Sequence, residues 1–219
     1  LGFEAAKHNI SEALRLTKFL MDRLAAEDST DLRVLDFGMG QGGFALAMKA
    51  CGCNVFGYDF SNTRQENAAR LGIDILDMDA IRTKKFDFIN TEQVLEHVPD
   101  PYETAKMLST ALVPAGVLKI SVPFNRWLER GDYRIDWSAG RYEKHSPIPN
   151  APLEHLQYFR RPSLDVLGKN LGLKRVKIPA KLHFEFSTQW SNLKIASKNI
   201  GRMLLLDWFR NYYLFQKPG

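Results

Sequence analysis

Gly38-Met39-Gly40-Gln41-Gly42-Gly43 is a turn almost bare of side chains, preceded by Asp36 and followed in the next segment by Asp59. It fits two templates. Gly38, Gly40 and Gly43 match GxGxxG, whereas Gly38, Gly40 and Gly42 match the tighter GxGxG; both bring a ligand against exposed backbone at the start of a helix. The turn therefore predicts a nucleotide-like ligand without naming it.

Asp36 separates two ligand chemistries. A dinucleotide sets its pyrophosphate over the helix N-terminus, where a carboxylate two residues before the first glycine opposes it. A sulfonium cofactor reverses the sign. S-adenosylmethionine carries an ammonium group, a cationic sulfur and no phosphate, so Asp36 attracts it directly or through a water. Asp59, at the end of the second predicted strand, stands where an acid accepts hydrogen bonds from ribose hydroxyls. Asp79, in preference to Asp77, is the expected partner of the adenine amino group.

Methyl transfer from such a donor is an in-line displacement that asks the protein for alignment and exclusion of water. A hydroxyl acceptor also needs a base, and histidine suits that task near neutral pH. The candidates are His97, His155 and His145. No zinc-type ligand spacing joins them, and Cys51 and Cys53 fall after the first helix of the fold, so no metal is expected.

Alternating elements must position these groups. Residues 5 to 24 repeat apolar positions at helical spacing, and Leu32 to Phe37 is a β-prone run that leads into the glycine turn. A helix over Phe44–Ala50, a strand over Asn54–Tyr58, a helix over Ser61–Leu71 and a strand over Ile73–Leu76 follow. Phe86–Asn90 and Val117–Val122 read as further strands. Between them Asp100-Pro101-Tyr102-Glu103 opens a helix with an N-cap, an N1 proline and a capping-box glutamate. Strand and helix in alternation imply a parallel sheet covered on both faces, an α/β Rossmann-like three-layer sandwich.

Residues 123 to 152 have no period and carry Phe124, Trp127, Tyr133, Trp137, Tyr142 and His145, the composition of a lid or substrate-facing insertion. Pro162–Leu171 returns to helix, and Leu173–Ile178 and Leu182–Phe186 read as closing strands. The expected division is an N-terminal helix over 1–29, a catalytic domain over 30–186 and a basic amphipathic helical tail over 187–219.

Composition sets outer bounds. The chain has 219 residues, 45% hydrophobic and 25% charged, ordinary for one folded domain with no need of disulfides. Net charge is +5. In the tail Lys194, Lys198, Arg202, Arg210 and Lys217 face only Asp207, so the remainder is nearly neutral, and nucleic acid is not an expected partner. Trp190, Leu193, Ile200, Met203, Leu204 and Trp208 share a helical face, which packs on the domain or rests on a partner or an anionic membrane surface. No signal-peptide pattern and no apolar run of membrane-spanning length are present, and a reducing, cytoplasmic setting is expected.

Val34 to Gly42, Gly57-Tyr58-Asp59-Phe60-Ser61, Phe86-Asp87-Phe88-Ile89, Leu95 to Pro101, and Glu154-His155-Leu156-Gln157-Tyr158-Phe159 occur in an order that resembles the class I S-adenosylmethionine-dependent methyltransferases. The last segment is similar to the subgroup of ubiquinone-type O-methyltransferases. The resemblance covers about residues 30 to 180. It implies a seven-stranded sheet, six strands parallel and the last antiparallel, with S-adenosylmethionine across the carboxyl ends of the first strands. The expected cofactor site is built from Asp36, Gly38, Gly40, Gly42, Asp59 and Phe60, with Asp79 at the adenine; Asn90-Thr91-Glu92-Gln93 departs from the family pattern in being more polar, and its Thr91 and Gln93 are expected at the methionine end. The expected reaction is methylation of a small-molecule or glycan-like acceptor at oxygen. The competing readings are an NAD(P)-dependent oxidoreductase, which GxGxxG favours and Asp36 opposes, and a binding protein without turnover.

Overall fold

The computed structural model describes residues 3–123, 126–140, 143–147, 154–179, 181–182 and 212–219. Fourteen elements follow one another: α1 (Phe3–Leu24), β1 (Arg33–Phe37), α2 (Gly43–Ala50), β2 (Asn54–Tyr58), α3 (Asn62–Arg70), β3 (Asp74–Ile75), α4 (Met78–Thr83), β4 (Phe86–Glu92), α5 (Pro101–Thr110), β5 (Leu112–Ser121), α6 (Arg126–Glu129), α7 (Arg161–Asn170), β6 (Lys174–Val176) and β7 (Tyr212–Gln216). The strands lie in the order β3-β2-β1-β4-β5-β7-β6. Only β7 runs antiparallel to its neighbours, β5 and β6. The seven-stranded sheet with one reversed strand is thus as expected.

Side-chain alternation sends each strand into two cores. Val34, Phe88, Val117 and Leu214 pack beneath α1 and α2 with Ala13, Leu16, Phe44 and Met48. Leu35, Ile89, Leu118, Tyr213 and Phe215 face the other way, against Ala105 and Leu108 of α5 and Leu164 and Leu167 of α7. Helices on both faces bury every central strand. Local signals set the boundaries: Asp100 accepts the Glu103 amide at 2.9 Å and Pro101 begins α5.

The C-terminal expectation needs correction. Residues 212–216 are not part of a helical tail but form β7, inside the sheet between β5 and β6. The reason is burial on both faces: Leu214 enters one core and Tyr213 and Phe215 the other, which gives a continuous apolar run instead of the period-2 signature. Lys181 and Leu182 are helical, so the strand expected over 182–186 does not begin there. The remainder of that segment, and the face from Trp190 to Trp208, lie outside the described residues. Two short helices, α4 and α6, were not anticipated. Among the described residues no helix is long and apolar enough to cross a membrane.

The strand order reverses between β1 and β4. Connections leaving these two strands depart in opposite directions and open a crevice at their carboxyl ends, the position where open α/β sheets bind ligands. Both motif segments, the glycine turn after β1 and the turn after β4, emerge there.

Candidate active site

The glycine turn is held by backbone geometry that side chains resist. Gly38, Gly40 and Gly42 all take left-handed φ values, of 77°, 57° and 73°. At Gly38 a Cβ would also collide with Val94 Cγ2 from the turn after β4. The amides of Gly38 and Met39 donate to the Tyr58 carbonyl at 2.8 and 3.0 Å, which pins the turn to the end of β2.

Asp59 completes that link. Its Oδ2 accepts the Gly40 amide at 2.8 Å and its Oδ1 accepts the Ser61 amide at 2.9 Å. Arg64 of α3 lies 3.6 Å from Oδ1. Each carboxylate oxygen has a second lone pair, so ribose hydroxyls can still be accepted. Phe60, 61% exposed, stands edge-on to Tyr58 and Phe37 and leaves a ring face open.

A cavity of about 810 Å³ joins these groups to the turn after β4. Gly38, Asp59, Phe60, Arg64, Gln93 and His97 are among the residues on its wall, with Val94, Val98, Pro99 and Glu154. Gln93 has a left-handed backbone, φ 55°, while its amide donates to the Ser121 carbonyl at 2.9 Å. A non-glycine residue held in that region is a local strain that the sheet edge supports.

Asp36 lies under the turn, fully buried. Its Oδ1 accepts a hydrogen bond from Asn90 Nδ2 at 2.7 Å, whereas Asp36 Oδ2 and Asn90 Oδ1 are buried without a hydrogen-bond partner. Burial pushes the Asp36 carboxyl up to about 6; the Asn90 hydrogen bond and the charge of Lys119 pull it back.

The second cluster assembles two distant segments. Leu156 donates its amide to the Glu96 carbonyl at 2.8 Å and Gln157 Nε2 donates to the Val98 carbonyl at 2.9 Å. The result sets His97 against His155, ring centroids 4.8 Å apart. His97 Nδ1 is 2.8 Å from the Glu154 carbonyl. A carbonyl only accepts, so Nδ1 carries the proton and Nε2 of the neutral ring carries a lone pair. Beside it Glu96 is fully buried, both its oxygens lack hydrogen-bond partners, and burial raises its carboxyl to about 7.

Sequence reasoning missed Glu96 as a site residue, although it adjoins His97, because its burial is visible only in the fold. It also gave no sign that Glu96, His97 and His155 bring ligand atoms within 4.8 Å of one another. One carboxylate and two imidazoles form a donor set able to hold a divalent ion, and chain spacing does not reveal it.

Three expected site residues are placed elsewhere. Thr91 is buried and its hydroxyl donates to the Lys119 carbonyl at 3.0 Å, so it braces the sheet instead of facing the cavity. Asp79 has a side chain 91% exposed and pairs with Arg82 at 3.0 Å in the first turns of α4. His145 pairs with Asp132 at 2.7 Å within the aromatic loop and is not on the cavity wall. In that loop Tyr133 and Trp137 are exposed, while Phe124 and Tyr142 lie outside the described residues.

A sequence model of the methyltransferase domain matches residues 7–178. The chain belongs to the class I S-adenosylmethionine-dependent methyltransferases. The methyltransferase relatives include a ubiquinone biosynthesis O-methyltransferase of Actinobacillus pleuropneumoniae, 33% identical over 112 residues, a match that covers 44% of this chain and 47% of that protein. The chain thus spans about half the length of that relative. A Coxiella burnetii protein of the same description is 28% identical over 173 residues, 70% of this chain and 71% of that one. Among solved structures, the plantazolicin methyltransferase BpumL in complex with S-adenosylhomocysteine superposes with a TM-score of 0.64 at 15% identity, covering 99% of this chain and 86% of that one. At that identity the likeness concerns the fold. Membership of this methyltransferase family sets aside the oxidoreductase reading, and the family's methyl donor is S-adenosylmethionine.

Proposed function

We propose that this methyltransferase acts on a hydroxyl oxygen of a small-molecule or glycan-like acceptor, with His97 as the base. The observation that carries the reading is the 2.8 Å contact of Nδ1 of His97, a cavity-wall residue, with the Glu154 carbonyl: a carbonyl only accepts, so the lone pair of the neutral ring falls to Nε2. Relatives described as O-methyltransferases agree with an oxygen acceptor.

The residues fit the donor. Asp36 Oδ2 and Asn90 Oδ1 are orphaned acceptors beneath the glycine turn, and a cationic ammonium group is the donor they lack. Asp59 holds the ribose hydroxyls, Phe60 offers a ring face to the adenine, and Gly38, Gly40 and Gly42 keep the approach free of side chains. Bound S-adenosylmethionine supplies a methyl group activated by a cationic sulfur. Gln93 and Val94 line the cavity between the donor residues and His97, so the acceptor enters from the His97 side and water is displaced by Val94, Val98 and Pro99. His97 removes the hydroxyl proton as the oxygen becomes nucleophilic, and the buried Glu96 beside it stabilises the resulting imidazolium.

The test is mass-spectrometric detection of S-adenosylhomocysteine with a panel of phenols, catechols, sugars and amines. Turnover confined to amines overturns the oxygen assignment. A second reading is favoured by the unpartnered oxygens of Glu96: a divalent ion held by Glu96, His97 and His155 would polarise the acceptor oxygen instead. Activity lost on dialysis against EDTA and restored by Mn²⁺ or Zn²⁺ selects that reading; activity unchanged by EDTA selects the base.

A further inference from the structure

Asp36, Asn90 and Lys119 are register partners across β1, β4 and β5, and so occupy one row on the sheet face covered by α1 and α2. Lys119 is 1% exposed. Its Nζ lies 2.7 Å from Glu12 Oε1 of α1 and 3.1 Å from Glu92 Oε2 at the end of β4, and 5.1 Å from the centre of the Phe44 ring of α2. A buried ion pair is seldom a gain in stability over apolar residues of the same volume, because desolvation offsets the attraction. A lysine enclosed in this way therefore calls for a role besides stability.

The neighbouring charges supply one. The groups acting on Asp36 are Asn90 and Glu92 from β4, Lys119 from β5 and the Ala45 amide from α2. Glu12 of α1, itself influenced by His8 and Arg15, acts on Lys119. Lys119 opposes both the desolvation of Asp36 and the like charge of Glu92.

We propose that Lys119 is a positioning residue of the methyl-donor site: anchored by Glu12 of α1 and Glu92 of β4, its ammonium keeps the Asp36 carboxylate ionised, with one oxygen open to the donor's own ammonium group. The role rests on the reading of Asp36 as that group's acceptor. It also makes α1 part of the site, since α1 contributes the acid that holds Lys119 in place. Burial acts to raise the Asp36 carboxyl, Lys119 acts against it, and a protonated carboxyl offers no counter-charge.

The test is calorimetric titration of S-adenosylmethionine between pH 5 and 7.5 into the full chain. The wild type is compared with the double variant Glu12→Gln/Lys119→Met, which removes both charges together so that neither is left buried alone, and with Asp36→Asn. Circular dichroism establishes that each is folded. Wild-type affinity is expected to fall below about pH 6 as Asp36 protonates, and in the double variant this fall moves up by about one pH unit, a loss of about threefold at pH 6.5 that grows to nearly tenfold at pH 5. Asp36→Asn removes the acid limb and so identifies its origin. A double variant whose pH profile coincides with the wild type overturns the role of Lys119 and leaves the Asp36 reading intact. A wild type that binds equally at pH 5 and 7.5, or not at all, overturns the Asp36 reading and the role with it.

Discussion

Asp36 accepts a 2.7 Å hydrogen bond from Asn90 through one oxygen, while its other oxygen is buried without a side-chain partner beneath the glycine turn. An arrangement that costs stability in the empty protein is the kind expected where a ligand completes it.

The Asp36→Asn variant should therefore separate stability from binding. The carboxyl of Asp36 is raised in the fold from 3.8 to about 6, so the folded state holds the proton more tightly than the unfolded one. Its stability contribution is fully present below pH 3.8 and is lost as pH rises through about 6. Without cofactor, Asp36→Asn is expected to unfold at higher temperature than the wild type at pH 7.5, by a difference on the order of 2 kcal/mol that vanishes near pH 4. Its affinity for S-adenosylmethionine should fall more than about tenfold. Scanning calorimetry at both pH values checks the first expectation, and equal melting temperatures at pH 7.5 refute it.

Asp59 makes a different prediction because it holds the protein together as well as standing as the proposed ribose acceptor. Asp59→Ala removes acceptors from the Gly40 and Ser61 amides besides the proposed ribose contacts. The expected loss of cofactor affinity is about 1.5 to 3 kcal/mol from charge-assisted hydrogen bonds, with a further loss from a turn no longer fixed to β2. Hydrogen exchange at Gly40 should rise even without cofactor. Slow exchange there in the variant would show that the Tyr58 carbonyl alone anchors the turn.

The sheet and the glycine turn were legible because each strand and helix carries a local signature: β-prone runs before Gly38, glycines at helix ends, an N-cap at Asp100. Asp36 and Asp59 were singled out by charge sign and chain position, and the fold brings both to the glycine turn. The reversed strand was not legible, since Tyr213 to Phe215 is buried on both faces and the strand is separated in sequence from its partners. The same cause hid Glu96 and misplaced Thr91 and His145. Whether a polar side chain faces a cavity or is engaged within the sheet depends on long-range packing, as the Thr91 bond to Lys119 and the His145 pair with Asp132 show.

Gly38 gives a test of backbone geometry. Alanine there meets two penalties, a left-handed φ of 77° and a collision with Val94 Cγ2. Gly38→Ala is expected to destabilise the protein by about 2 to 4 kcal/mol. Adding Val94→Ala relieves the collision but not the φ strain, so urea denaturation should show partial recovery, with about 1 kcal/mol remaining. Complete recovery would place the whole cost in the contact.

The proposed base, His97, gives the test of the chemistry. Its ring is oriented by the Glu154 carbonyl and packed against His155, contacts that involve neither the glycine turn nor Asp59. His97→Gln should therefore leave S-adenosylmethionine affinity within about twofold and lower kcat by roughly 10² to 10⁴, the usual contribution of a general base. Because the imidazole must be neutral to accept the hydroxyl proton, a histidine base gives the pH–rate profile an acid limb. Residual turnover in His97→Gln should lose that limb and rise with pH as the acceptor's own hydroxyl ionises. An acceptor that is already ionised at assay pH, such as an acidic phenol, needs no base and should be methylated by the variant at close to the wild-type rate. If instead the variant fails equally with ionised and neutral acceptors, His97 shapes the pocket or holds an ion, and proton removal is assigned elsewhere.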